Sequence, residues 1–125
     1  MTYSKTAMGI QRYGTTQRWS DAVVFNRVAY LCEVPSNLDG DIHAQTQEVL
    51  GLLKSRLEEV GSSGECILNA TIYIPDPADL PGFNALWDAW VPQGTAPVRA
   101  CIHAALTNPK MRVEVTLQAA IIELP

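Results

Sequence analysis

The amino-acid sequence predicts an α+β fold in which two helices pack on one face of a mixed β-sheet. Two stretches carry apolar residues at the three- and four-residue spacing of amphipathic helices, and five runs typical of strands lie around them. The predicted order of elements is β-β-α-β-α-β-β, which is an α+β sandwich. The 125 residues suit a single domain over positions 1–125.

The first part of the chain predicts an irregular lead-in followed by a β-hairpin. Residues 1–17 are rich in Thr, Gly and Ser and show no clear period. Residues 22–25 and 28–32 are apolar and prone to form strands, and the two residues between them can form the turn. Pro35 then ends the second strand.

A long helix is predicted over residues 39–60. Asp39 and Asp41 favour its start through the helix dipole, and Gly61 supplies its C-terminal stop. One face of this helix is expected to be buried, and it carries Ile42, Thr46, Val49, Leu50, Leu53, Leu57 and Val60.

The middle of the chain predicts a third strand over residues 67–74, ended by Pro75. A second helix is expected to begin at Asp76 or Asp79, which are both good N-cap residues, and to run to about residue 90. Its apolar face consists of Leu80, Phe83, Trp87 and Trp90.

The last third of the chain predicts a hairpin between residues 98–106 and 111–122, with a loop over 107–110. Alternation along the strands gives it one apolar face, expected under the helices, and one polar face. Counting back from the loop places three pairs on the polar face: His103 with Glu114, Cys101 with Thr116, and Arg99 with Gln118. Such a face is either a solvated outer surface or a binding cleft in which arginine holds a carboxylate.

Composition and charge exclude several classes of function. The net charge is −4 and the nine basic residues are scattered, so we expect no nucleic-acid partner. No apolar run is long enough for a membrane span or a secretory signal, and the three cysteines have no C-x-x-C spacing, so a cytoplasmic location is expected. The two histidines have no metal-ligand spacing, and no metal site is predicted.

Four co-linear segments carry a family resemblance. They are residues 32–35 (CEVP), 70–74 (ATIYI), 83–90 (FNALWDAW) and 97–101 (PVRAC). A P-x-R-x-C segment placed after an N-x-x-[WY]-[DE] helix resembles the RidA/YjgF family, and the order of elements agrees from about residue 18 to residue 122. The segments 18–21 (RWSD) and 87–90 (WDAW) are most similar to its YoaB-type branch.

The resemblance implies a chorismate-mutase-like fold and a homotrimer with clefts between the subunits. It also implies a hydrolase that works without cofactor on a small carboxylate-bearing metabolite. The expected reaction is that of an enamine/imine deaminase, which hydrolyses 2-imino acids of the 2-aminoacrylate type to 2-keto acids and ammonia. Such a reaction needs an anchored carboxylate, a water molecule and a proton carrier.

The resemblance also implies a role for Arg99, which is expected to anchor the carboxylate. Proton transfer is expected from Glu114 or His103, because the predicted strand pairing places both on the same face as Arg99. The remaining substrate-binding candidates are Cys101, Arg18, Thr116, Cys32 and Asn84.

Two positions depart from the pattern that the resemblance implies, and they leave alternatives open. The resemblance implies a glutamate at the position of Thr116 and a tyrosine at the position of Arg18. Threonine cannot act as a base near neutral pH, so the first alternative is a trimeric metabolite binder or regulator without catalysis. The second is the endoribonuclease or translation-inhibitor activity attached to the family by name, against which the acidity of the chain argues.

Overall fold

The computed structural model describes residues 3–5 and 9–122, which form one seven-stranded mixed sheet with two helices on one face. The strands are β1 (Tyr3–Lys5), β2 (Gln11–Tyr13), β3 (Ala22–Phe25), β4 (Val28–Glu33), β5 (Ile67–Ile74), β6 (Val98–His103) and β7 (Glu114–Ala120). The helices are α1 (Ile42–Glu59) and α2 (Leu80–Trp90). The strand order in the sheet is β1-β2-β3-β4-β7-β5-β6, and the predicted mixed sheet with helices on one face is confirmed.

The segment predicted to be an irregular lead-in contains two strands. β2 pairs antiparallel with both β1 and β3, and its Tyr13 is buried. The prediction of irregular structure over residues 1–17 is therefore wrong for these two segments, because strands of three residues are too short to show a period. The parts of that prediction that concern residues 1–2 and 6–8 lie outside the described residues.

The first hairpin forms as predicted, by β3 and β4. Asn26 and Arg27 have φ angles of +53° and +64°, as both central residues of a type I′ turn require. β4 runs one residue further than expected, to Glu33.

Helix α1 is anchored at both ends by its own sequence. The Asp41 carboxylate caps it by accepting a hydrogen bond from the Ala44 N–H (2.8 Å), so the helix begins later than predicted. At the other end Gly61, with φ +85°, forms a Schellman motif in which the Ser62 N–H donates to the Leu57 carbonyl (2.8 Å). All seven residues of the predicted apolar face are buried.

Helix α2 follows a short 3₁₀ turn at Pro77–Asp79. Asp76 caps this turn, because its carboxylate accepts from the Ala78 N–H (3.0 Å), whereas the Asp79 carboxylate binds Arg112 (2.9 Å). Phe83 and Trp87 are buried, and the predicted apolar face points towards the core. Among the described residues, no helix is both long enough and apolar enough to cross a bilayer.

The predicted final hairpin is wrong. β6 pairs in parallel with β5, and β7 lies between β4 and β5, so β6 and β7 are not neighbours. Both strands are shorter than predicted, and residues 104–113 connect them across the sheet. A strand-helix-strand unit favours parallel pairing, and here α2 links β5 to β6.

Gln45 holds this long connection in place. Its side chain is fully buried, and its Nε2 donates to the Lys110 carbonyl (3.0 Å) and the Gly40 carbonyl (3.3 Å). Its Oε1 accepts from the Arg112 N–H (2.7 Å). The neighbouring Thr46 is equally buried, but its Oγ1 has no hydrogen-bond partner among the described residues.

These two adjacent residues give a matched test of buried polar groups. We expect Gln45→Met to lower the free energy of unfolding by about 1–2 kcal/mol, because it removes the hydrogen bonds that the buried Gln45 carboxamide makes to the part-buried loop backbone of Lys110 and Arg112. Thr46→Val should raise it by up to about 1 kcal/mol, because it removes an unpaired hydroxyl without changing the volume. Urea unfolding measures both, and equal destabilisation by the two variants would contradict this account.

Candidate functional site

The sheet has two distinct faces, called here the helix face and the open face. Arg99, Cys101 and His103 lie on the helix face of β6, because Arg99 is in register with Ala70, which is fully buried under the helices. Cys32, Thr116 and Glu114 lie on the open face, where Cys32 pairs with Thr116. The predicted pairs of His103 with Glu114, Cys101 with Thr116 and Arg99 with Gln118 are therefore wrong.

The apolar side of β6 is also placed differently from the prediction. Val98, Ala100 and Ile102 were expected under the helices but are exposed on the open face, with Val98 at 74% exposure. The reason is that β6 is an edge strand, and its neighbour sets which of its sides meets the core. The alternation of polar and apolar residues defines the two sides of a strand, but it does not determine which side meets the core.

The Arg99 guanidinium rests against α2. Its Nη2 donates to Asn84 Oδ1 (2.7 Å), and its Cζ lies 5.5 Å from the ring centroid of Trp87 and 5.8 Å from that of Phe83. The side chain is half-buried, and it forms no ion pair with a carboxylate in residues 9–122. Arg99 is thus an oriented cation. Its guanidinium carries several N–H donors besides the one that binds Asn84, and these can donate to a ligand.

Two further candidates extend along the same side of β6. Cys101 and His103 follow Arg99 at intervals of two residues, and both are exposed. Asn84 contacts Arg99 directly, so four of the predicted residues do come together at this edge.

A second group of candidates lies on the open face. The Cys32 thiol donates to Glu114 Oε2 (3.5 Å), and Thr116 lies beside Cys32. Desolvation by the surrounding protein, and then the Glu114 carboxylate, raise the pKa of the Cys32 thiol to about 12, although one side of the residue is open to solvent. Cys32 is therefore a protonated hydrogen-bond donor near neutral pH and not a thiolate nucleophile.

Next to this pair is a shallow depression of about 410 Å³ on the open face. Its polar lining includes Ser20, Cys32, Thr116 and an amide pair in which Asn69 Nδ2 donates to Gln118 Oε1 (3.2 Å). Tyr30 adds an exposed aromatic ring. The depression offers hydrogen-bonding groups and apolar surface, and the described residues that line it include no cationic side chain.

Arg18 does not join Arg99 within one chain. It is exposed in the loop between β2 and β3, where its N–H donates to Thr16 Oγ1 (3.2 Å). β3 lies four strands away from β6, a separation of about 19 Å at the usual spacing of strands. The structure therefore places the predicted site residues in separate groups.

A cluster of charged side chains links the Arg18 loop to α1. Arg56 binds the carboxylates of Asp21 (2.8 Å) and Glu59 (2.6 Å), and Trp19 Nε1 donates to Asp21 (3.3 Å). Burial, followed by the nearby Asp21 charge, raises the pKa of the Glu33 carboxyl to about 7, although Arg56 opposes this shift.

Sequence reasoning missed two features of this region. It treated Phe83 and Trp87 only as packing residues, whereas both rings contact the Arg99 guanidinium. The sequence signal that could have indicated these contacts is the aromatic face of α2, which is followed along the chain by the strand that carries Arg99. It also missed the contact of Cys32 with Glu114, which depends on β7 lying next to β4.

Comparison with known proteins gives consistent matches along nearly the whole chain. The family model described as Endoribonuclease L-PSP matches residues 9–121. The RutC family protein YoaB of Escherichia coli K12 is 44% identical over 114 residues, which cover 91% of this chain and 100% of that protein. A RutC family protein of Haemophilus ducreyi is 38% identical over 113 residues, covering 90% and 97%.

Solved structures agree with these matches. A member of the YjgF protein family from Neisseria meningitidis has a TM-score of 0.88 and 40% identity, covering 95% of this chain and 100% of that chain. An uncharacterised protein from Pseudomonas aeruginosa has a TM-score of 0.88 and 33% identity, covering 90% and 99%. The chain therefore belongs to the YjgF/RidA family and has its chorismate-mutase-like fold.

The raised pKa of Glu33 predicts how stability depends on pH. Between about pH 4.5 and pH 7 the folded chain holds a proton that the unfolded chain has lost, so the free energy of unfolding falls as pH rises through this range. Glu33→Gln should remove this fall and stabilise the protein at pH 8 by on the order of 1 kcal/mol, a figure reduced for the partial exposure of Glu33.

Unfolding by urea at pH 4, 6 and 8 measures this effect. Comparing Glu33→Gln with the wild-type chain isolates Glu33, because the other titrating groups contribute to both proteins. A difference in stability that does not change between pH 4 and pH 8 would contradict the prediction.

Proposed function

We propose that this protein is a cofactor-independent enamine/imine deaminase that hydrolyses 2-imino acids to 2-keto acids and ammonia. The observation that carries the proposal is the Arg99 guanidinium, which Asn84 and two aromatic rings orient and which no carboxylate of the described chain neutralises. Such a group suits the carboxylate of a 2-imino acid, because a guanidinium can donate two parallel hydrogen bonds to it.

The chemistry asks little more of the protein than position and proton transfer. Water adds to the carbon of the protonated C=N bond and gives one proton to a base, which leaves a neutral carbinolamine. The carbinolamine passes its hydroxyl proton to the nitrogen, and ammonia leaves as the C=O bond forms. When Arg99 anchors the carboxylate, the reacting carbon is held at a fixed distance from the side chains that would transfer protons.

Glu114 and His103 are the proposed proton carriers. The Cys32 thiol, kept protonated by its raised pKa, donates to one Glu114 oxygen and leaves the carboxylate free to accept from water through its other lone pairs. His103 lies on the same side of β6 as Arg99 and can donate to the departing nitrogen.

The geometry of one chain favours a site completed by a second copy. Arg99, Asn84, Cys101 and His103 are on the helix face of an edge strand, whereas Glu114 is on the open face. In a homotrimer, the β6 edge of one subunit can meet the open face of the next, and a small carboxylate-bearing metabolite would bind in each of these clefts.

A second candidate function is a trimeric metabolite binder or regulator without catalysis. The observation that favours it is the lack of a carboxylate among the described β6 residues that share the Arg99 side, where Cys101 and His103 are the titratable neighbours. Thr116, in the depression on the open face, can hydrogen-bond water but cannot take its proton near neutral pH. A third candidate, endoribonuclease activity or inhibition of translation, rests on the description of the family model and is opposed by the net charge of −4.

Substitution of Arg99 tests the proposal directly. Arg99→Ala and Arg99→Lys should both abolish 2-keto acid release from 2-aminoacrylate generated in situ, and should weaken pyruvate binding at least about tenfold, because lysine cannot make the bidentate contact. Arg27→Lys, in the hairpin turn, is the matched control. Full activity in both Arg99 variants would overturn the proposal.

The same assays separate the rival functions. Pyruvate binding by the wild-type protein without faster 2-keto acid release supports the binder. RNA binding that weakens steeply with salt, together with RNA cleavage, supports the third candidate.

Subunit complementation tests whether the site lies between copies. Arg99→Ala and Glu114→Gln should each be inactive alone. When the two chains are co-expressed in equal amounts, about a quarter of the clefts combine an intact Arg99 with an intact Glu114 from the neighbouring chain, so about a quarter of the activity should return. No recovery in mixed oligomers of confirmed composition would place both residues in a site within one chain, or remove one of them from it.

A further inference from the structure

We infer that Trp87 is a positioning residue that fixes the orientation of the Arg99 guanidinium for recognition of a carboxylate. The inference rests on the proposed function, since it concerns the same anchor, and it assigns a role to a residue that sequence reasoning placed in the core. Trp87 is 4% exposed and lies on α2 one turn after Phe83 and Asn84.

Three side chains of α2 contact the Arg99 guanidinium. Trp87 contributes the shorter of the two ring contacts, at 5.5 Å from the Arg99 Cζ, and Phe83 the other, at 5.8 Å. Asn84 accepts a single hydrogen bond from Nη2 at 2.7 Å. Ring contacts favour the cation without using its N–H donors, so the remaining donors stay available for a ligand.

The Trp87 ring is itself held on both sides. It stacks on Phe83 with ring centroids 5.9 Å apart and an interplanar angle of 25°, and it meets Trp90 at 5.6 Å. A guanidinium that packs against a fixed ring has fewer rotamers to lose when it binds a ligand. A free arginine side chain loses rotamer entropy when a ligand immobilises it, so pre-orientation can change affinity severalfold.

Trp90 provides a matched control within the same aromatic row. It packs against Trp87, but among the described ring contacts of Arg99 only Phe83 and Trp87 occur. Trp90→Leu therefore removes aromatic packing from α2 while leaving the surface under the guanidinium in place. Trp87→Leu removes that surface, and Trp87→Phe keeps an aromatic ring of smaller area.

The experiment measures orientation and recognition separately. The Arg99 Nε–Hε resonance of the ligand-free protein, recorded by ¹H–¹⁵N NMR and assigned with Arg99→Lys, reports the ring above the guanidinium. Calorimetry gives Kd for pyruvate and for pyruvamide, which differ in the carboxylate alone. Thermal unfolding measures the loss of packing.

We expect Trp87→Leu to shift the Arg99 resonance and to weaken pyruvate binding about five- to tenfold, with little change for pyruvamide. Trp87→Phe should recover most of the selectivity for pyruvate over pyruvamide. Trp90→Leu should lower the melting temperature with little change in the resonance or in this selectivity. Should Trp87→Leu fail to fold, Trp87→Phe still tests the inference through the change in ring-current shift.

Two results would overturn the inference. One is an Arg99 resonance that is the same in wild type and in both Trp87 variants. The other is an equal loss of pyruvate selectivity in Trp87→Leu and Trp90→Leu. If the wild-type protein binds pyruvate no better than pyruvamide and shows no deaminase activity, the proposed function fails, while the resonance shift still decides whether Trp87 orients Arg99.

Discussion

The parallel pairing of β6 with β5 is the constraint on which the arrangement of the candidate site depends. This pairing puts Arg99 in register with Ala70 under the helices, and the helix that connects the two strands is the one that meets the guanidinium. In an antiparallel hairpin with β7, Arg99 would lie next to Gln118 on the open face and would not contact α2. The chemical environment of Arg99 therefore depends on the path that the chain takes through β5 and α2, and not only on the residues next to Arg99 in the sequence.

The position of β7 between β4 and β5 has its own consequences. It brings Glu114 to Cys32, and it requires residues 104–113 to pass the C-terminal end of β5. A segment of that length needs anchors, and the buried carboxamide of Gln45, in the first turn of α1, supplies two hydrogen bonds to it. The Arg112–Asp79 ion pair ties the end of the same segment to the beginning of α2.

Much of this fold could be predicted because the relevant signals are local. The apolar face of α1, its capping by Asp41 and Gly61, the Asn26–Arg27 turn and the bounds of β5 all follow from residues close together in the sequence. The partner of β6 could not be predicted, because alternation describes the two sides of a strand and contains no information on its neighbours. Arg99 and Asn84 became site candidates through motif resemblance, while the grouping of Arg99 with Glu114 on one sheet face failed with the strand pairing that it assumed.

The Cys32–Glu114 contact separates solvent exposure from chemical reactivity. Electrophiles such as haloacetamides and maleimides consume the thiolate form of cysteine, and the raised pKa of the Cys32 thiol leaves almost none of it at neutral pH. Alkylation of the intact protein should therefore spare Cys32, even though water reaches it. Covalent dyes or spin labels can accordingly be attached to Cys101, the other exposed cysteine of the described chain, without blocking this position on the open face.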